Sequence, residues 1–199
     1  MQNPPESAGA SVRRGRWKLV AILLVCAAPV IASYLTYYVI RPEGRTNYGE
    51  LIEPMPGIGG LAVSALDGTP ADLSAVRGKW AMVALDAGDC GKRCEERLYA
   101  IRQVRLTTGK ERDRVERLLL VTGEGTPPAA LLAQHDGLVV RRVAPGAVAR
   151  AFPAPEGAPA EHVYVVDPLG NVMMRFPASA DPSRMKKDLA KLLRASRIG

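Results

Sequence analysis

The chain has 199 residues, a formal net charge of +7, 47% hydrophobic and 24% charged residues, and three cysteines. These proportions exclude a disordered chain and a disulfide-dense mini-fold; once a basic tail and an apolar segment are set aside, roughly 150 residues remain, enough for one compact domain. The positive charge is not a nucleic-acid footprint, because Arg13, Arg14, Arg16, Lys18, Arg41 and Arg45 all flank the apolar segment and read as topology determinants.

Residues 1–18 form the basic tail. Residues 19–40 carry no charge, and about 22 residues at 1.5 Å each are enough to cross a ~30 Å hydrocarbon layer. The run is too long for a signal-peptide core and precedes no clean small-x-small cleavage site, so it reads as an uncleaved transmembrane anchor. Pro29 is tolerated in such a helix, and Tyr34, Tyr37 and Tyr38 suit an aromatic belt at its far end. Four basic residues lie before the segment and two after it. The positive-inside rule therefore puts the N-terminus in the cytoplasm and the remaining chain on the extracytoplasmic, periplasmic side of the inner membrane. Val25 precedes Cys26 where a lipidation site wants a small residue, so Cys26 reads as a buried apolar filler.

Residues 41–60 are rich in Pro and Gly and read as a linker. Residues 61–66, Asp67-Gly68 and residues 72–76 read as a hairpin with an Asp-Gly turn. Gly78-Lys79 introduces the apolar run Trp80 to Leu85, a buried strand. After Asp86-Ala87-Gly88-Asp89 come Cys90-Gly91-Lys92-Arg93-Cys94, and Leu98, Ile101 and Val104 then mark a helix. Residues 115–122 predict a strand, 127–134 a helix and 139–143 a strand. Residues 162–166 and 172–176 predict a hairpin around Asp167-Pro168-Leu169-Gly170, and 181–197 a closing helix. Strands and helices in this order describe an α/β three-layer domain over residues 61–199. The closing helix has an apolar stripe (Met185, Leu189, Leu192, Leu193) and a basic outer face, a solvated surface or a contact for anionic lipid or an acidic partner.

Cys90 and Cys94 carry the chemistry. A thiol near a helix N-terminus feels the positive end of the helix dipole, and Lys92 and Arg93 add charge, so the thiolate is favoured. Two cysteines four apart lie on one face of the first helical turn, within the separation a disulfide accepts. As thiolates they could grip a soft metal such as Cu(I). A purely structural disulfide suits an oxidising compartment, but so short a loop gains little from cross-linking. Of the two histidines, His162 opens a strand in a fold where the segment before that strand usually faces the thiol pair, and is the candidate third ligand; His135 falls on an expected exposed helix end.

The order of these motifs resembles the Sco (SenC) family, membrane-anchored thioredoxin-like proteins that handle copper and thiols during assembly of the CuA centre of cytochrome c oxidase. Gly78-Lys79-Trp80 leads to Cys90 and Cys94 as that family's strand leads to Cys-x-x-x-Cys. Leu118 to Val121 before Thr126-Pro127, and Val163 to Gly170, match further pieces. The resemblance implies a thioredoxin-like fold, Cu(I) held by Cys90, Cys94 and His162, and a membrane-bound oxidase copper subunit or another respiratory assembly factor as client. It departs at Gly88-Asp89-Cys90-Gly91, where the family has Thr-His-Cys-Pro, at Gly123-Glu124-Gly125, which replaces an acidic segment, and at Pro159, near the family's copper-binding histidine. In exchange chemistry Cys90, nearer the helix start and expected to be the more exposed, would attack a client disulfide and Cys94 would resolve it. Two other classes fit the same residues: a non-enzymatic membrane scaffold and a general thiol-disulfide reductase without metal.

Overall fold

The structure is a computed structural model that describes residues 8–40, 47–196 and 198. Residues 1–7 of the basic tail and 41–46 of the expected linker lie outside the described residues. The chain divides into two units, Met1–Thr46 and Asn47–Gly199.

In the first unit, helix α1 (Ala8–Leu35) continues as one π-helical turn through Thr36–Ile40. Over Arg16–Tyr38 it is long and apolar enough to cross a membrane. Leu19, Leu23, Val25 and Val30 lie exposed on its surface. Cys26 corrects the sequence reading: it is unpaired and exposed on the helix, not packed inside protein.

The second unit contains, in chain order, β1 (Glu50–Leu51), β2 (Val63–Ser64), β3 (Pro70–Ala71), β4 (Trp80–Asp86), α2 (Lys92–Leu106), β5 (Val115–Val121), α3 (Ala129–Ala133), β6 (Leu138–Val143), α4 (Pro145–Ala151), β7 (Val163–Val166), β8 (Val172–Phe176) and α5 (Pro182–Ala195). The strands form one sheet in the order β1-β8-β7-β4-β5-β6-β2-β3. Only the central β4–β5 and β5–β6 pairs are parallel, as the helical crossovers α2 and α3 require.

Alternation along the strands builds two core layers. Trp80, Met82 and Ala84 of β4, with Leu119 and Val121 of β5, meet Leu98, Ile101 and Val104 of α2 and Met185, Leu189 and Leu193 of α5. On the other face Ala81, Val83, Leu85, Leu118 and Leu120 meet Val148 and Ala151 of α4, with Phe152 and Tyr164. The strands at the centre are apolar on both sides because both faces are covered.

Three sequence expectations need correction. Residues 47–60 are not a free linker: β1 pairs with β8, Ile52 and Ile58 are buried, and the amides of Tyr48 and Gly49 donate to the buried carboxylate of Asp188 at 2.6 and 2.8 Å. The Asp-Gly hairpin exists but is two residues deep on each side, and Ser74–Val76 form a 3-10 turn where a strand was expected. Helix α4, seven residues opened by Pro145, gave too short a pattern to be read.

Tyr164 gives the fold a pH signature. It is fully buried, and its hydroxyl donates to the Pro153 carbonyl at 3.2 Å. Burial pushes its phenol up from 10.0 to about 12. A raised pKa means the neutral form stabilises the fold, a contribution complete below pH 10 and lost as pH rises through about 12. Denaturant titrations across this window should show the wild type losing roughly 2–3 kcal/mol that Tyr164→Phe does not lose; equal losses would contradict the assignment.

Candidate thiol–disulfide site

Strand β4 delivers the chain to the site, and Asp86, its last residue, shapes the turn beyond it. The Asp86 carboxylate accepts the amides of Gly88 at 2.8 Å and Cys90 at 3.0 Å through Oδ1, which folds residues 86–90 tightly. Its Oδ2 lies 3.6 Å from Arg97 Nη2, and its backbone carbonyl accepts from Thr122 N at 2.8 Å. Arg97 also donates to the Leu85 carbonyl; burial lowers its pKa and the Asp86 charge opposes that shift.

Cys90 and Cys94 are joined in a disulfide, with Cα atoms 5.0 Å apart. Gly91 is the N-cap of α2, so Cys90 precedes the helix while Cys94 lies inside its first turn; the two do not share one helical face as expected. Cys90 adopts φ +43°, a left-handed conformation that costs an L-residue about 1–2 kcal/mol. That bend carries its sulfur back over the first turn to meet Cys94. Both cysteines are 2% exposed and sit in the α2 layer of the core, so Cys90 is not the more exposed of the pair. Arg93 is exposed and pairs with Glu161 at 3.4 Å, linking the start of α2 to the turn before β7.

Behind the cysteine turn lies a second loop, Gly123-Glu124-Gly125, at the end of β5. Gly88 has φ +125°, and a Cβ there would meet the Gly125 carbonyl oxygen at 2.5 Å. The two loops therefore touch backbone to backbone. Arg142 of β6 holds the second loop by donating to the carbonyls of Gly123 and Gly125. Sequence reasoning passed over Arg142 and the glycine contact, which join residues distant in the chain. The Asp-x-Gly after a strand was a legible turn signal.

His162 stands at the same end of the sheet, since Val163 beside it pairs with Ala84 near the end of β4. Its backbone is extended, so alternation sends it to the side shared by Tyr164, whereas Val163 packs in the layer of Cys90 and Cys94. The rings of His162 and Tyr164 are 6.3 Å apart. His162 Nδ1 is 2.8 Å from the Phe176 carbonyl oxygen. A carbonyl only accepts, so Nδ1 carries the proton and Nε2 is the free acceptor. Among the described residues no group of three His, Cys, Asp or Glu side chains is close enough to hold a metal. His135, expected at an exposed helix end, is instead 5% exposed.

A parallel-centred sheet covered on both faces, with a disulfide where a strand gives way to a helix N-terminus, defines a thioredoxin-like domain. The profile of the family described as transmembrane-like, thioredoxin-like, C-terminal domain matches residues 80–196, and the profile of the transmembrane-like N-terminal domain matches residues 10–39. The chain belongs to this transmembrane-like, thioredoxin-like family. No curated protein matches the sequence. Among solved structures, it resembles copper-bound yeast Sco1 at 13% identity and a TM-score of 0.55, covering 73% of this chain and 96% of that one. Apo Sco1 of Thermus thermophilus matches at 18% identity and 0.53, covering 77% and 98%. BsSco, a member of the Sco family of cytochrome c oxidase assembly proteins in which a disulfide switch was identified, matches at 15% and 0.54, covering 73% and 96%. The Sco resemblance read from the motifs thus holds for the fold.

Gly88→Ala should destabilise the domain by roughly 1–3 kcal/mol, because the new Cβ meets backbone that cannot swing away. Gly146→Ala, in α4 with open space around it, should be neutral or stabilising by about 0.4–1 kcal/mol. Urea midpoints of the two variants test this; similar effects would show that the two loops do not press on each other at Gly88.

Proposed function

We propose that this chain is a membrane-anchored thiol–disulfide exchange factor of the Sco type. Its soluble domain lies on the periplasmic side of the inner membrane, and its client is a membrane-bound oxidase copper subunit or another respiratory assembly factor. The observation that carries the proposal is the Cys90–Cys94 disulfide at the β4–α2 junction, set by the Asp86 turn. A five-residue loop stabilises a fold little, so cross-linking alone is a weak reason for it. Confinement by α1 would raise the effective concentration of the domain near a client in the same bilayer.

In the reduced chain, the Cys90 thiolate attacks one sulfur of a client disulfide. A mixed disulfide forms and the other client sulfur leaves as a thiolate. Cys94, deprotonated, then attacks the Cys90 sulfur, and the second client thiolate leaves. Two electrons pass to the client, which ends as a dithiol, and the chain ends as the disulfide. Cys90 is assigned the attack because it precedes the helix, whereas Cys94 is fixed within its first turn. Both sulfurs are buried, so the cysteine turn must open for a client to reach them. Cys90→Ser should reduce exchange to the uncatalysed rate and Cys94→Ser should accumulate a mixed disulfide, seen by mass spectrometry after acid quenching. Full activity in both variants would refute the mechanism.

The same dithiol offers two soft donors to Cu(I) as cargo, a reading favoured by the two sulfurs being held within one turn. On this geometry Cu(I) binds the reduced chain one to one and is lost in either cysteine variant. His162→Ala should change the affinity by less than about threefold, because the imidazole is engaged with the Phe176 carbonyl and the Tyr164 ring. Anaerobic competition titration checks this; a loss of roughly tenfold or more in His162→Ala would mean that His162 joins the sulfurs.

A further inference from the structure

At the opposite end of α2 from the disulfide, four cationic or basic side chains gather, with Glu116 and Asp136 as the acids that act on Arg117. Arg117 points from β5 into the α2 layer, since its alternation partners Leu119 and Val121 pack there. It is 3% exposed. One of its nitrogens, Nη2, donates to the Asp136 carbonyl, while Nε and Nη1 meet no protein acceptor. His135 is 5% exposed, and its Nδ1 likewise meets none. Burial lowers the pKa of His135, and the charges of Arg117 and Arg102 lower it further; Arg117 is lowered by burial and by Arg105 and Arg102. Glu116, the acid adjoining Arg117 in sequence, is committed to Lys79 at 2.6 Å. Arg105 is occupied with the Val115 carbonyl at 2.5 Å.

A buried guanidinium with two of its nitrogens unpaired is destabilising. The cluster is also not sealed: Arg102, Gln134 and His135, with Tyr99 and Leu131, line a cleft of about 760 Å³ beside α2, whose lining also includes Glu95, Glu96 and Glu161 with Arg93 and Arg97. We propose that the His135 end of this cleft binds a phosphoryl or similar doubly charged oxyanion, held by the Arg102 guanidinium and the His135 imidazole and attracted by the charge of Arg117. A planar guanidinium matches such oxygens in geometry and charge, and the imidazole adds an N–H donor. Tyr99 and Leu131 give the site an apolar wall suited to the organic part of a phosphate ester. The site is separate from the cysteine pair and does not depend on the exchange reaction.

The chain has only two histidines, so imidazole nitrogen spectra of the full chain in detergent micelles contain their own control. Titration with inorganic phosphate at constant ionic strength should move the His135 resonances saturably and leave those of His162 in place. Arg102→Gln, on the half-exposed face of α2, should weaken the response by roughly tenfold. Arg117→Met should also weaken it, while raising thermal stability in phosphate-free buffer because a buried guanidinium with unpaired nitrogens is gone. Tighter binding of phenyl phosphate would identify an ester as the occupant, and equal binding phosphate itself; both support the site. No response of His135, equal movement of both histidines, or an unchanged affinity in Arg102→Gln would overturn it.

Discussion

Asp86 is the constraint on which the site depends. One carboxylate oxygen fixes the amides of Gly88 and Cys90, the other faces Arg97 of α2, and the backbone carbonyl takes the amide of Thr122 after β5. A single residue thus joins the end of the central strand, the cysteine turn, helix α2 and the neighbouring parallel strand. The left-handed bend at Cys90 is held by this network. Without it, two cysteines that straddle a helix N-cap would have no reason to meet at a Cα separation of 5.0 Å.

Strand alternation governs the metal chemistry open to the site. His162 reaches the correct end of the sheet, yet one residue of register decides whether it joins the sulfurs or Tyr164. The Phe176 carbonyl fixes its tautomer and orientation with Tyr164. This separation agrees with the sequence departure at Pro159. Redox exchange needs only the sulfurs and the turn that presents them.

Much of the fold was legible. The buried runs at β4 and β5 announced themselves by length and apolar continuity, and α2 by the spacing of Leu98, Ile101 and Val104. Asp181 caps α5 by accepting the Ser183 amide, close to the expected start. Interactions between distant residues could not be read. Asp188 binds the amides of Tyr48 and Gly49 and so turns part of an apparent linker into the sheet edge. Arg142 reaches the Gly123–Gly125 loop, and His135 is buried by its neighbours in space although its helix end looked exposed. The cysteine pair was found from spacing, but its equal burial depends on layers that no local pattern encodes.

The central claim is that the Cys90–Cys94 bond is an exchangeable redox couple. The most direct test is to equilibrate the full chain in glutathione and dithiothreitol redox buffers, alkylate, and follow the two sulfurs by mass alongside circular dichroism. One reversible two-electron transition is predicted, with a midpoint above about −300 mV and the fold retained in both states. A bond that resists reduction until the domain unfolds would contradict the claim and make the disulfide a structural staple.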